Sequence, residues 1–340
     1  MEGGRDLDSG KVQAPCVVRL DSGGFRLFYT AVGPAKPFPD CQGYLLSAVS
    51  DDGLEFHVEP GIRLAPRPDV LHTSLRVLAP SVTRCVDGRW RLYFESRGPA
   101  DRPTVICSAV SDDLLHWEHE EGIRLQSPGG LGGPRFLGLP DGSGRLYCCN
   151  TEYGAGGLLS GERLSKNVVS AVTDDGLHFE WEPGCRMRDG HGEHDEQGIT
   201  AAEVIPPSTV DGEWAMVFSA WQDAPAGSAV PVHPSENVDA VEQGASEDFA
   251  AASIAADMAG FRSRIFVARS PDGQDWNGTE LAVEGAGYGG EGIDAVHAED
   301  MALVEIGGGR YRMYYAACDS CGRWRIASAV AERVTAGGET

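Results

Sequence analysis

The chain has 340 residues, 41% of them hydrophobic, and a formal net charge of −23. Its length and apolar fraction suffice for a buried core, whereas its acidity repels phosphate backbones and argues against nucleic acid as a partner. No apolar stretch reaches the ~20 residues of a membrane span and no apolar leader opens the chain, so we expect a cytoplasmic protein without a membrane partner.

One pattern of elements recurs five times along the chain, and we call each copy a unit. An apolar run comes first, then an aromatic strand, then a strand of the type Ser-Ala-Val. The aromatic strands begin at Arg26, Arg91, Arg145, Ala215 and Arg312. In the first four units a turn follows the third strand, and an aromatic residue stands soon after it. Each unit therefore predicts four short strands.

The turn chemistry and the spacing of the units predict the architecture. Asp-Gly pairs supply left-handed turn residues, and Ser-Asp-Asp turns bond their own amides. Ser50 and Ser111 are 61 residues apart, and Ser111 and Thr173 are 62 apart. Four-stranded units at this period predict an all-β, five-bladed β-propeller that forms a single domain over residues 1–340. The predicted units are residues 14–66, 78–126, 133–188, 201–286 and 299–330.

Two segments depart from the repeat. An insertion of about residues 222–261 stretches the fourth unit, and an Ala-rich helix is predicted in it from Ser246 to Ala259, ending at Gly260. It is either a helix packed on the rim, or a functional element that serves as a lid or as a contact for a homo-oligomer. The fifth unit lacks a clear fourth strand, so either the N-terminal residues or the tail after Val330 would close the ring.

Propeller geometry places the segments before each first strand and the loops after each aromatic strand at one mouth of the channel. Charged groups in or beside channel-lining strands are informative, because an unpaired charge there is costly. These groups are Arg76, Glu203, Glu299 and Asp300. Further candidates for binding a small-molecule substrate at the mouth are His72, Glu95, Arg97, Asn150, Glu152, Trp221 and Asp223. The Ser-Asp-Asp turns lie at the opposite face and are predicted to be structural.

The repeated motifs, Asp-Gly before an aromatic strand and Ala-x-Ser-x-Asp before a Trp, resemble those of the five-bladed propeller glycoside hydrolases. That superfamily includes arabinanases, xylosidases and invertases, of the family 43 and family 32 type. The resemblance implies paired catalytic carboxylates, one of them an Asp directly before the Pro of the first blade. In this chain Ala14 precedes Pro15, so the usual catalytic Asp is replaced.

Three hypotheses follow. The first is a glycoside-hydrolase-like enzyme acting on a small glycoside, with Glu203, Glu299, Asp300 and His297 as catalytic groups. The second is a propeller with a non-hydrolytic lyase, isomerase or cyclase activity on a small metabolite. It would use either a His and carboxylate site or a divalent metal ion at the channel mouth. The metal ligands would be His72, His194, His297 and Glu196. The third is a sugar-binding propeller without catalysis.

Overall fold

The computed structural model describes residues 1, 3–99, 101–155, 163–188, 198–207, 212–231 and 257–332, with the backbone alone at 163–164 and 331–332. The described residues form nineteen strands and a single-turn 3-10 helix at Leu71–Thr73. Unit 1 contains β1 (Lys11–Arg19), β2 (Phe25–Val32), β3 (Tyr44–Ser50) and β4 (His57–Val58). Unit 2 contains β5 (Arg76–Arg84), β6 (Trp90–Arg97), β7 (Val105–Ser111) and β8 (Glu118–His119).

The remaining units follow the same order. Unit 3 contains β9 (Leu131–Gly138), β10 (Gly144–Tyr153), β11 (Arg163–Thr173) and β12 (Glu180–Trp181). Unit 4 contains β13 (Ile199–Ile205), β14 (Trp214–Asp223), β15 (Phe261–Ser270) and β16 (Asn277–Val283). Unit 5 contains β17 (His297–Gly307), β18 (Arg310–Cys318) and β19 (Trp324–Glu332). Within every unit, consecutive strands pair antiparallel.

The third and fourth strands of units 1 to 4 are joined by a turn whose side chains satisfy its own amides. In unit 1 the Ser50 hydroxyl accepts from the Gly53 amide at 2.9 Å, and the Asp52 carboxylate accepts from the Leu54 amide at 2.7 Å. The same bonds recur at Ser111, Thr173 and Ser270. These acidic residues have a structural role, as their pattern predicts.

The units are arranged in a ring around their first strands. Neighbours in the ring are β1 and β5, β5 and β9, β9 and β13, β13 and β17, and finally β17 and β1. A hydrophobic cluster lies at every junction. Its members include Leu45 and Val77 between units 1 and 2, Tyr93 and Leu146 between units 2 and 3, Tyr147 and Phe218 between units 3 and 4, Val217 and Tyr315 between units 4 and 5, and Tyr314 and Tyr29 between units 5 and 1. This is the arrangement of a β-propeller.

The N-terminal residue completes the outer edge of unit 5. The Ile326 amide donates to the Met1 carbonyl at 2.9 Å, and the Met1 amino group donates to the Ile326 carbonyl at 2.7 Å. In unit 1 the matching residue of the third strand, Leu45, is bridged in the same way by Leu64. Met1 thus occupies the outer edge of unit 5, while residues 333–340 of the tail lie outside the described ranges.

The helix predicted in the insertion falls mainly on residues outside the described ranges. Only its last residues are seen, where Asp257 and Met258 are helical and Gly260 turns the chain at φ +86° into β15. The predicted stop at Gly260 therefore matches the backbone, whereas the helix itself stays a prediction. The part of the chain that the structure describes holds no helix suited by length and hydropathy to traverse a lipid bilayer.

Candidate active site at the channel mouth

Matching strand registers allow residues to be compared between units. Four of the five first strands carry a bulge of two residues at the same level. These bulges are Ala14–Pro15, Ala79–Pro80, Gly133–Pro134 and Asp300–Met301. The first bulge residue has a left-handed backbone in each, with φ of 49°, 50°, 55° and 51°. Asp300 in unit 5 is thus the structural counterpart of Ala14 in unit 1.

The conformation of Asp300 is itself informative. A positive φ is uncommon outside glycine, although Asp adopts it more readily than most residues. Such strained residues persist where the surrounding structure holds them, and they concentrate at functional sites. The Asp300 amide is held by the Ser219 hydroxyl of unit 4, to which it donates at 3.2 Å.

The Asp300 carboxyl has an altered proton affinity. Burial, followed by the neighbouring charge of Glu299, raises its pKa to about 7, while Arg135, Lys11 and Lys166 act in the opposite direction. A carboxyl group with this pKa can both donate and accept a proton near neutral pH. Asp300 is therefore the residue of the mouth best suited to acid–base chemistry.

Glu299 is buried beside Asp300 and is held on both sides. One of its oxygens accepts from Gln13 Nε2 at 2.6 Å, and the other accepts from Trp221 Nε1 at 2.9 Å. These donors come from units 1 and 4, so Glu299 ties three units together. With both oxygens engaged, its evident effects are to orient Trp221 and to raise the pKa of Asp300.

Glu203 lies on β13, two residues after Ala201, and is therefore deeper in the channel than the groups of the mouth. It forms an ion pair of 3.0 Å with Arg135 of unit 3. Burial raises the pKa of Glu203 to about 7, and Arg135 opposes that shift. The Arg135 guanidinium also donates to the carbonyls of Pro15, Pro80, Pro134 and Met301. Arg135 thus contacts all five units, and Glu203 takes part in closing the centre of the ring.

His297 connects units 4 and 5 behind Glu299. Its backbone makes a parallel bridge with Ser263. Its ring nitrogens lie 2.9 Å from Ser263 Oγ and 2.7 Å from Asp257 Oδ1, and the ring stacks on Trp324. Both ring nitrogens thus have partners within the protein, and the predicted roles of His297 as a catalytic group or a metal ligand stay predictions.

Solved structures with a similar fold include glycoside hydrolases and a deacetylase. An endo-arabinase from Bacteroides thetaiotaomicron matches with a TM-score of 0.63 and 13% identity, over 99% of this chain and 100% of the other. A thermostable family-43 glycoside hydrolase matches at 0.62 and 12%, over 94% and 89%. An N-acetylgalactosamine deacetylase from F. plautii, in complex with blood group B trisaccharide, matches at 0.63 and 16%, over 98% and 95%.

The chain has the fold of the propeller glycoside hydrolases. No family model and no curated protein matches its sequence. The likeness therefore shows the fold and not the chemistry of the site.

The predicted metal site depends in part on residues outside the described ranges and stays a prediction. His194 and Glu196 lie outside the described residues. His72 lines a cavity of about 230 Å³ together with Arg67 and His119, the latter on the outermost strand of unit 2. Burial lowers the pKa of both of these imidazoles. Among the described residues, no group of three or more His, Cys, Asp or Glu side chains could hold a metal ion.

The predicted substrate-binding residues occupy two levels of the mouth. Arg76 is buried at the start of β5, opposite Arg97 on β6, and Trp221 and Glu95 lie close to the bulges. Asn150 pairs with Leu131, one position beyond Gly132, and its Oδ1 accepts from Ser127. Glu152 and Asp223 lie further out, at the ends of their aromatic strands, where Glu152 accepts from Ser165. The charged groups that act on Asp300 are Glu299, Arg135, Lys11 and Lys166, so the substrate-binding roles of the other residues stay predictions.

Sequence reasoning overlooked two lysines at the mouth. Lys11 is buried, with its Nζ 4.2 Å from the centre of the Trp324 ring, and burial lowers its pKa while Glu299 and Asp300 oppose that effect. Lys166 Nζ lies 5.3 Å from the centre of the Trp221 ring. The sequence did hold a sign of these lysines. The chain has only three of them, and Lys11 stands three residues before Ala14-Pro15, just as Arg76 stands three residues before Ala79-Pro80.

Proposed function

We propose that this protein is a carbohydrate-active enzyme of the glycoside-hydrolase type, acting on a small glycoside at the channel mouth, with Asp300 as its proton donor. In this proposal the five units are the five blades of one propeller domain. The observation that carries it is the equivalence of Asp300 and Ala14. The resemblance implies a catalytic Asp at the position of Ala14, and the fifth unit supplies an Asp on the same bulge with the same backbone conformation.

The surroundings of Asp300 support this role. Glycosidic cleavage needs a carboxylic acid that is still protonated at working pH, so that it can give its proton to the leaving oxygen. The raised pKa of Asp300, about 7, meets that requirement. Trp221, oriented by Glu299, offers an aromatic surface beside it, and Arg76 and Lys166 supply donors for sugar hydroxyls.

A second candidate is deacylation of a sugar, or another reaction that leaves the glycosidic bond intact. The similarity to the F. plautii deacetylase favours it, because that enzyme and this chain share the fold over nearly their whole lengths. Product analysis distinguishes the two reactions. Cleavage releases a free reducing sugar, deacylation releases a carboxylic acid, and a lyase or isomerase releases neither.

The experiment is a turnover assay on a panel of alkyl and aryl glycosides, with Asp300→Asn as the test variant. Asn tolerates the left-handed backbone at this position, so the variant should fold. Loss of a general acid predicts a fall in kcat/KM of ~100-fold or more on alkyl glycosides. Asp112→Asn is the matched control, since it removes an exposed carboxylate from a turn away from the mouth. Equal activity of Asp300→Asn and the wild type would refute the proposal.

A further inference from the structure

A hydrogen bond between neighbouring units recurs at the bulges. The Ala79 amide donates to Thr30 Oγ1 at 2.9 Å, and the Asp300 amide donates to Ser219 Oγ at 3.2 Å. At the third bulge the Gly133 amide donates to Glu95 Oε2 at 3.4 Å. Thr30, Ser219 and Glu95 hold the same place on their aromatic strands. Since a hydroxyl suffices at two of these places, the scaffold does not require the carboxylate at the third.

The neighbouring strand makes room for this carboxylate. A Cβ atom on Gly132 would lie only 2.6 Å from Glu95 Oε2, so any other residue there would displace it. The matching positions carry long side chains in three other units, namely Gln13, Leu78 and Glu299. Unit 3 therefore leaves open the space that the Glu299 side chain occupies in unit 5. The Glu95 side chain extends into this space from unit 2.

Glu95 lies at the unit 3 bulge, the level at which Asp300 lies in unit 5. The buried Cys149, the cross-strand partner of Gly132, adjoins this level. Burial raises the pKa of this thiol to about 11, and among the charged groups that act on it are Asp300 and Glu95, which raise it, and Lys166, which lowers it. Both carboxylates are thus within electrostatic reach of one thiol, although they come from units that are not adjacent in the ring.

We propose that Glu95 is the second catalytic carboxylate of the site and acts as the general base opposite Asp300. The inference rests on the proposed function. Glu95 takes a proton from a water molecule whose oxygen forms a bond to the anomeric carbon. The bond from that carbon to the glycosidic oxygen breaks, its electron pair stays on the leaving oxygen, and Asp300 protonates that oxygen. This step requires the wider carboxylate separation, ~6.5–9.5 Å, which leaves room for the water molecule, and it inverts the anomeric centre.

The test compares two substitutions of Glu95 with Asp300→Asn on two kinds of substrate. Glu95→Gln keeps the length of the side chain but loses the base. Glu95→Thr restores the hydroxyl that Thr30 offers to the bulge amide, so it is the matched control for a purely structural role. The substrates are an alkyl glycoside and the 2,4-dinitrophenyl glycoside of the same sugar, whose leaving group departs without protonation.

The two carboxylates predict different patterns. Both Glu95 variants should lose ~100-fold or more in kcat/KM on both substrates, because water must be activated in either case. Asp300→Asn should lose activity on the alkyl glycoside and retain most of it on the dinitrophenyl glycoside. The acidic limb of the pH profile should also disappear in Glu95→Gln and persist in Asp300→Asn.

Two outcomes would overturn the inference, and each is distinct from failure of the proposed function. If Glu95→Thr keeps wild-type activity while Asp300→Asn is impaired, Glu95 is only the acceptor for the Gly133 amide. If product analysis of the wild type shows retention of the anomeric configuration, Glu95 does not act as a base on water. If Asp300→Asn is fully active on the alkyl glycoside, the proposed function itself fails, and the role of Glu95 fails with it.

Discussion

Units 1 to 3 and units 4 to 5 use their charged residues differently. In each of the first three units the aromatic strand begins with an Arg that pairs with a Glu after the third strand, and that Glu also accepts from a Ser hydroxyl. The trios are Arg26, Glu59 and Ser47; Arg91, Glu120 and Ser108; and Arg145, Glu182 and Ser170. Unit 4 has Ala215 in place of the Arg, and among the described residues no such trio is found in unit 5.

Units 4 and 5 instead gather ionisable and aromatic side chains at the mouth. Trp221, His297, Glu299 and Asp300 all belong to them. A parallel bridge between Ser263 and His297 joins the two units there. The residues that recur from unit to unit build the scaffold. The residues that break the repeat build the site.

The largest expected effect concerns Arg135, which joins the two halves at the centre of the ring. Arg135→Leu leaves the partly buried Glu203 without its partner and removes donors from four buried carbonyl contacts, so we expect a loss of ~3 kcal/mol in the free energy of unfolding. Chemical denaturation measures it. The double variant Arg135→Leu/Glu203→Leu should recover part of the loss. Equal stability of the single variant and the wild type would show that Glu203 does not depend on this ion pair.

Substitution within a repeated trio should affect stability without affecting activity. Glu120→Gln breaks the ion pair with Arg91, in which both side chains are largely buried, and should lower the free energy of unfolding by ~2–4 kcal/mol. The kcat/KM of the folded protein should stay within about twofold of the wild type, because unit 2 contributes this residue far from the mouth. A fall in kcat/KM larger than the fall in folded protein would contradict the division between scaffold and site.

These two halves were not equally predictable from the sequence. The units, the aromatic strands and the Ser-Asp-Asp turns could be predicted because repetition reveals them and because each turn depends on residues close in sequence. The partners of Glu203 and His297 could not be predicted, since Arg135 and Asp257 are distant in the chain. The equivalence of Asp300 and Ala14 was hidden as well, because Met301 replaces the Pro that marks the other bulges and the unit 4 strand has a shorter bulge at Thr200.

The pH dependence of the free energy of unfolding should show how far ionised Asp300 destabilises the fold. Its pKa is about 7 in the folded protein and near 4 in an unfolded chain. Because the fold favours the protonated form of Asp300, this carboxyl contributes stability that is fully present below pH 4. That contribution is lost as the pH rises through 7. Asp300→Asn should therefore melt ~2 °C or more above the wild type at pH 8 and relatively lower at pH 4. Parallel melting curves across this range would show that the pKa of Asp300 is not raised.

The smallest effect is expected at Trp221. Trp221→Phe keeps an aromatic ring but removes the Nε1 donor to Glu299. We expect a rise in KM of ~3–10-fold with a smaller change in kcat, because the ring that faces the substrate loses its fixed orientation while Asp300 is untouched. Steady-state kinetics on the preferred glycoside separates the two constants. A loss confined to kcat would place Trp221 in the chemical step instead.

The most direct test of the role of Asp300 is a crystal structure of the Asp300→Asn variant soaked with an alkyl glycoside that the wild type turns over. The substitution prevents cleavage and preserves the shape of the mouth. The account predicts that the side chain of residue 300 lies within hydrogen-bond distance of the glycosidic oxygen, with Trp221 against a sugar ring. A glycoside bound with its glycosidic oxygen away from residue 300, or outside the channel mouth, would contradict it.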